Sequence, residues 1–261
     1  MTGKPSKPLA GRRIVITRRP QQSGWLCERL EERGATVVEL PLVELAPPAE
    51  MAPLDDALRR LERYDWVVFT SANAVRSVSE RMTDLGIGEG ALTRRKTASV
   101  GPSTTRALRE CFPGVAVTLE AAKHDAETLG HELADAARGS RLLLPTSDRA
   151  RDVLPAGLRR EGATVDVVVA YRTVPPAGLR DRIAEVLRQQ ADAVTFASPS
   201  AVENLAAAAG ELVPRVKAAV IGPVTEEACR RAGISVIVVA VPSTAEGLAA
   251  SLERHWERSS P

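Results

Sequence analysis

The chain writes one phrase twice. Phe69 to Val75 reads FTSANAV, and Phe196 to Val202 reads FASPSAV. The echo extends to four blocks that keep their order. ERLEERGATVVELPLVEL (28–45) returns as AGLRREGATVDVVVAYRT (156–173), aligning Gly34 with Gly162, and the FTSANAV pair follows. ASVGPSTTRAL (98–108) returns as AVIGPVTEEAC (219–229), aligning Gly101 with Gly222. DAETLGHEL (125–133) returns as TAEGLAASL (244–252). Self-similarity in register is the signature of a repeated supersecondary unit. At 261 residues the chain is long enough for two separate cores. A duplicated α/β unit is therefore expected.

Each block has the grammar of a strand followed by a helix. WVVFT, TASV, VITR, RLLLP, AVTF and AAVI are short and apolar on both faces, as strands buried between helix layers should be. The segments after them, such as AVENLAAAAG and TEEACRRAG, space their apolar residues by three and four and end at Gly. That alternation predicts α/β domains with mostly parallel sheets flanked by helices. The tracts 35–45 and 163–174 are long for strands and read as extended connectors between the units.

Composition narrows the function. Aromatic residues are only 3% of the chain, so the cores must be built from Ala, Val, Leu and Ile, and platforms for stacking bases are scarce. The net charge of +2, with both signs interspersed, gives no electrostatic footprint for nucleic acid. Cys27, Cys111 and Cys229 are odd in number and far apart, so they read as small buried hydrophobes in a reducing compartment. MTGKPSKPLAGRR has no apolar core of a leader peptide, and no long apolar run suits a membrane span, so a cytoplasmic protein with no membrane partner is expected.

In open parallel sheets, ligands bind where strands end and helices begin. Here those corners share a chemistry. Phe69-Thr70-Ser71-Ala72-Asn73 and Phe196-Ala197-Ser198-Pro199-Ser200 each put a hydroxyl at a helix N-cap, with Pro199 suited to the first helical position. Val100-Gly101-Pro102-Ser103-Thr104 and Ile221-Gly222-Pro223-Val224-Thr225 are expected to do the same, Gly allowing a tight exit and Pro setting the turn. Leu144-Pro145-Thr146-Ser147-Asp148-Arg149 and Ile16-Thr17-Arg18-Arg19-Pro20 add hydroxyls and guanidinium groups. A single such corner reads as ordinary capping. Six of them predict a cleft that receives an anion with several separated charges, because helix starts attract anions.

Other features carry less. Gly86-Ile87-Gly88-Glu89-Gly90 lacks dinucleotide-binding spacing, and no Walker sequence is present. His124, His131 and His255 have no partners at metal spacing and read as surface or packing residues; no metal or organic cofactor is expected. Asp135, Asp148 and Asp152 read first as solvated carboxylates, and Arg94-Arg95-Lys96 and Arg159-Arg160 as solvated faces. Tyr171 ends the apolar tract VDVVVAYRT and is one of only two tyrosines. By itself it is as readily a half-buried strand residue as a functional one.

Taken in order, these segments resemble the uroporphyrinogen-III synthase family. The resemblance rests on Thr17-Arg18 followed by a helix and GATVVELP, then FTSANAV, VGPSTTRAL, LPTSDRARDVLPAGLRREGATVDVVVAYRT, FASPSAV, IGPVTEEA and the tail PSTAEGL, from about residue 12 to 256. The family often reads T-R-P where this chain has Thr17-Arg18-Arg19-Pro20, which leaves Arg18 and Arg19 both open as the cleft-facing group. The resemblance implies two domains joined by a two-stranded connector with a cleft between them: 44–172 inserted, and 1–43 with 173–261 discontinuous. It implies cyclisation of the linear tetrapyrrole hydroxymethylbilane to uroporphyrinogen III, with loss of water and inversion of ring D through a spiro intermediate, without a cofactor.

The ligand's eight carboxylates match the expected polyanion; at about 0.5–1 kcal/mol for each helix-end contact they supply about 4–8 kcal/mol. By resemblance, Tyr171 assists departure of the hydroxyl group. Thr17, Arg18, Ser71, Ser103, Thr104, Ser147, Arg149, Ser198, Val224, Thr225 and Ser243 are the implied substrate-binding positions. A monomer is expected. The competing reading is a non-catalytic two-domain cytoplasmic binding module for a polycarboxylate, which would share the fold grammar.

Overall fold

The computed structural model describes residues 7–257. The first six residues of MTGKPSKPLAGRR, on which the leader-peptide expectation partly rests, lie outside the described residues. In chain order the elements are β1 (Arg13–Ile16), α1 (Pro20–Glu32), β2 (Thr36–Glu39), β3 (Glu44–Ala46), α2 (Ala52–Arg59), β4 (Trp66–Phe69), α3 (Ala72–Asp84) and α4 (Gly90–Thr93). There follow β5 (Lys96–Ser99), α5 (Pro102–Cys111), β6 (Val117–Glu120), α6 (Ala126–Ala137), β7 (Arg141–Ser147), α7 (Val153–Arg160) and β8 (Thr164–Val174). The chain closes with α8 (Leu179–Arg188), β9 (Ala193–Phe196), α9 (Pro199–Ala209), β10 (Lys217–Val220), α10 (Pro223–Arg231), β11 (Ser235–Val239) and α11 (Ala245–Glu257). Among the described residues no helix is long and apolar enough to cross a membrane.

Two compact units result: residues 1–44 with 174–261, and residues 45–173. The first holds a sheet in the order β11-β10-β9-β1-β2, and the second a sheet in the order β3-β8-β7-β4-β5-β6. Neighbouring strands from β11 to β2, and from β8 to β6, are parallel. Apart from the edge strand β3 the two orders are the same, with β7 and β8 standing where β1 and β2 stand. Each sheet therefore draws strands from both copies of the sequence repeat.

Side-chain alternation explains why these strands are apolar on both faces. In β4, Val67 and Phe69 join the cluster under α3 and α5, while Trp66 and Val68 join the cluster under α6 and α7. In β9, Val194 and Phe196 face α8, α9 and α10, while Ala193 packs with α1 and α11. Phe69 and Phe196, the first letters of the repeated phrase, are fully buried. Truncating either to Ala is expected to cost about 3–5 kcal/mol.

Helix ends follow the expected Gly signal. Gly34 and Gly162 have φ of 95° and 90°, a left-handed conformation that a side chain would strain. At the first, Gly34 N donates to Glu31 O and Ala35 N to Leu30 O; at the second, Gly162 N donates to Arg159 O and Ala163 N to Leu158 O. These paired bonds satisfy carbonyls that the helix leaves open.

Several expectations need correction. The tract 35–45 is not one extended connector: β2 ends at Glu39, and Pro41, which has no amide donor, interrupts the pairing. Leu40 and Leu42 still donate to the carbonyls of Ile16 and Thr17, and β3 then lies beside β8 in the other sheet. Cys229 is buried, and burial pushes its thiol up to about 11, but Cys27 and Cys111 are only half-buried. Arg95 and Arg159 are not simply solvated: each donates to a backbone carbonyl, of Tyr64 at 3.0 Å and of Val165 at 2.9 Å respectively.

Candidate functional site

In the unit 45–173, β4 and β7 are neighbours at the centre of the sheet, and their following helices pack on opposite faces. A sheet parts its loops at such a switch point and leaves a crevice beyond the strand ends. A cavity of about 770 Å³ opens there. Thr70 and Ser71 come to it from β4, and Thr146, Ser147, Asp148, Arg149 and Arg151 from the end of β7. Asp125, Ala126 and Glu127 come from the start of α6. Val167, Val169 and Tyr171, alternate residues of β8, complete one wall.

Tyr171 is buried except for a small part of its surface, and its phenol oxygen lies 3.2 Å from Ser71 Oγ. Ser71 is the N-cap of α3 and accepts the Ala74 amide at 3.1 Å. The backbone around Tyr171 is clasped as well: Asp148 N donates to the Tyr171 carbonyl at 3.2 Å, and Asp148 Oδ1 accepts the Thr173 amide at 3.3 Å. Asp148 is thus a turn clasp as well as a solvated carboxylate.

The charges around the cavity are unequally satisfied. Asp125 caps α6 by accepting the Thr128 amide at 2.7 Å, a bond that holds its carboxyl below the usual range. Asp152 meets Arg159 at 3.5 Å. Arg149 and Arg151 are exposed and have no carboxylate partner among the described residues. Three valines of the lining are also open to solvent: Val153 (57% exposed), Val167 (40%) and Val169 (36%). Unpaired guanidinium groups beside bare apolar side chains suit an anionic ligand with flat, apolar parts.

The other tyrosine does a different job. Tyr64 donates to Asp166 Oδ2 at 2.9 Å near the opposite ends of the strands, where Arg141 also donates to Asp166 at 2.8 Å. Burial and this bond push Tyr64 up to about 12. Burial alone would raise Asp166, but the bonds from Arg141 and Tyr64 outweigh it and hold the carboxyl below its usual range.

At the β5 corner of this unit, α5 starts at Pro102 and its N-cap is Gly101, so no side chain caps it. The expectation of a capping hydroxyl there is wrong, and α10 repeats the pattern with Gly222. The glycines are needed for another reason. A Cβ on Gly101 would stand 2.9 Å from His124 Cβ, and one on Gly222 would stand 2.8 Å from Ser243 Oγ. His124 and Ser243, aligned in the repeat, each seal a corner by packing on its glycine. Ser103 lies exposed in the first turn of α5, whereas Thr104 is buried.

In the unit 1–44 with 174–261, the equivalent switch point lies between β1 and β9. Ser198 caps α9, accepting the Ala201 amide at 3.4 Å, with Ser200 Oγ 3.1 Å away and Pro199 at the first helical position. The Thr17 hydroxyl is committed to the sheet, donating to the Thr195 carbonyl at 2.5 Å. Arg18 is half-buried and has no protein partner among the described residues. Thr225 is buried, while Val224 stands 73% exposed in the first turn of α10. The residue aligned with Tyr171 is Val43, so only one unit carries a phenol.

The sequence reading missed Arg151 and the valines of the wall. Arg151 follows Arg149 at the same strand end and was legible there. The valines were not, because an all-apolar tract such as VDVVVAYRT does not disclose which face lacks a covering helix.

The two units share one architecture and define a class: α/β proteins with doubly wound parallel sheets and polar side chains gathered at the strand ends. Comparison narrows it. The family model described as Uroporphyrinogen-III synthase HemD matches residues 26–250. The chain belongs to this family. It is 29% identical to a uroporphyrinogen-III synthase from Synechococcus elongatus, over 97% of this chain and 98% of the relative. Its fold is that of a solved mutant uroporphyrinogen III synthase from Thermus thermophilus, at 22% identity with a TM-score of 0.61 over 95% of this chain and 100% of that one. A uroporphyrinogen-III synthetase from Helicobacter pylori gives a TM-score of 0.62 at 17% identity, over 92% and 97% of the two chains.

Proposed function

We propose that the chain catalyses the reaction of its family, converting hydroxymethylbilane to uroporphyrinogen III with loss of water and inversion of ring D. The observation that carries the reading at the level of chemistry is the phenol of Tyr171, 3.2 Å from Ser71, at the wall of a cavity that also holds unpaired guanidinium groups.

In this reading the terminal hydroxymethyl oxygen takes the proton of Tyr171 as the C–O bond breaks. The electron pair of that bond leaves with the oxygen, as water. The pyrrole nitrogen feeds its lone pair toward the carbon left behind, and the phenolate then recovers a proton from that nitrogen. The azafulvene so formed is attacked by the far pyrrole, ring D, through its substituted carbon, which gives the spiro intermediate as the ring D N–H proton passes to the azafulvene nitrogen. The older bond from that carbon to its bridge carbon then breaks, its electron pair restoring the ring D pyrrole, and the bridge carbon recloses on the free α-carbon of ring D, which loses its proton; ring D is thereby inverted. Binding geometry selects this closure over the spontaneous one, because a flexible chain held near one attack geometry avoids the entropy of finding it.

Carboxylates of the ligand are met by Arg149, Arg151 and Ser147, and by the exposed Ser103 in the first turn of α5, whereas Thr104, buried with its amide bonded to Gly101 O, supports that turn from within. Pyrrole faces rest on Val153, Val167 and Val169. Groups of the same kind stand at the strand ends of the unit 1–44 with 174–261: Arg18, Ser198, Ser243 and the exposed start of α10 at Val224. Thr17 serves there by holding the end of β1.

The test is the isomer composition of the product. Fresh hydroxymethylbilane is supplied, and the uroporphyrin isomers are separated after oxidation. Isomer III in excess is expected. Isomer I in the proportion formed without protein would leave only the polycarboxylate-binding reading.

A further inference from the structure

We infer that Ser71 is a positioning residue for Tyr171, donating its hydroxyl proton to the phenol oxygen so that the phenol's own proton is turned toward the ligand. The inference rests on the reading of Tyr171 as proton donor, and it names what makes that donor directional. Ser71 Oγ already accepts the Ala74 amide at 3.1 Å, at the positive end of α3. A hydroxyl that accepts a bond is polarised into a better donor, and its hydrogen is free to point at the phenol oxygen 3.2 Å away. With one lone pair of Tyr171 so engaged, its O–H is directed away from Ser71, and both residues line the same cavity.

The arrangement also answers the charge that appears when the phenol gives up its proton. The phenolate would receive a hydrogen bond from Ser71, which the α3 amide in turn stabilises, so the dipole of a 13-residue helix bears on the oxygen through one hydroxyl.

The duplication supplies an internal control. Ser198 occupies the same place as Ser71 and caps α9 in the same way, yet its neighbour is Ser200 at 3.1 Å and the residue aligned with Tyr171 is Val43. A cap serine is thus a feature of both units, whereas a cap serine bonded to a phenol is found in one. Capping alone accounts for Ser198; it does not account for the contact between Ser71 and Tyr171.

The experiment separates capping from donation. Ser71→Asp caps a helix as well as Ser does but has no proton to donate at neutral pH, and Ser71→Thr keeps both functions. Each is made, together with Ser71→Ala, in the Tyr171 protein and in Tyr171→Phe, and kcat, KM and Tm are measured with hydroxymethylbilane. We expect Ser71→Ala to lower kcat about tenfold with KM within about threefold, Ser71→Asp to lower kcat as far while its added charge also raises KM, and Ser71→Thr to recover kcat to within about threefold. In Tyr171→Phe the same changes should move kcat less than about twofold, since coupled residues do not add. Undiminished kcat in Ser71→Asp, or equal losses in both backgrounds, overturns the inference. If the unaltered protein makes isomer III while Ser71→Asp remains fully active, only the inference falls. If the unaltered protein makes no isomer III, the functional reading itself falls.

Discussion

The carboxylate of Asp192 accepts the Arg13 amide at 2.8 Å across 179 positions of sequence, and the Asp192 amide returns a 2.8 Å bond to the Arg13 carbonyl. Asp65 and Arg141 make the same pair of bonds, both at 2.8 Å, in the other unit. Each sheet is thereby fastened where a strand from one copy of the repeat meets a strand from the other. Asp192→Ala should destabilise its unit by about 1–3 kcal/mol, the usual cost of losing a bond to a charged group. Hydrogen exchange should show the loss in β1 and β9; for Asp65→Ala it should appear in β4 and β7. Loss spread evenly over both units would contradict this.

Tyr64 and Asp166, bonded to each other beside Arg141, should each add a pH-dependent contribution to the stability of the inserted unit. Tyr64 has its pKa pushed from 10.0 up to about 12, so its contribution is complete below pH 10 and disappears as pH rises through about 12. Asp166 is held below its ordinary 3.8, so its contribution is present above that pH and is lost as the solution becomes more acid. Tyr64→Phe should flatten the alkaline limb of the stability curve and cost about 1 kcal/mol at neutral pH. An unchanged alkaline limb would place the titration elsewhere.

Arg149 and Arg151 should act on binding. Arg149→Ala and Arg151→Ala are each expected to raise KM about three- to tenfold at low salt with kcat within about twofold, the two shifts shrinking as salt screens exposed charges. Steady-state kinetics across a salt series measures this. KM values that do not change would remove these arginines from the site.

How much of this the sequence disclosed depended on the kind of signal. FTSANAV and FASPSAV exposed the duplication because a strand exit needs the same few residues each time: a buried Phe, a capping Ser and small helix formers. The strand exchange between repeats was legible only through resemblance, since nothing in β7 and β8 declares which sheet they join. The corners at Gly101 and Gly222 misled because Ser103, Thr104 and Thr225 look like caps. The reason for the glycines is the approach of His124 and Ser243, residues far along the chain. Thr17 was read as ligand-facing, yet its hydroxyl is used by the Thr195 carbonyl, a partner that only the folded sheet supplies. The Ser71–Tyr171 contact spans 100 positions and was equally invisible to spacing.

The most direct measurement is the turnover of hydroxymethylbilane by Tyr171→Phe, with the isomers of the product resolved. A phenol that donates a proton to the leaving hydroxyl predicts a fall in kcat of about ten- to a thousandfold, with isomer III still formed by the residual activity. An unimpaired rate in Tyr171→Phe would show that the chemistry does not pass through this residue.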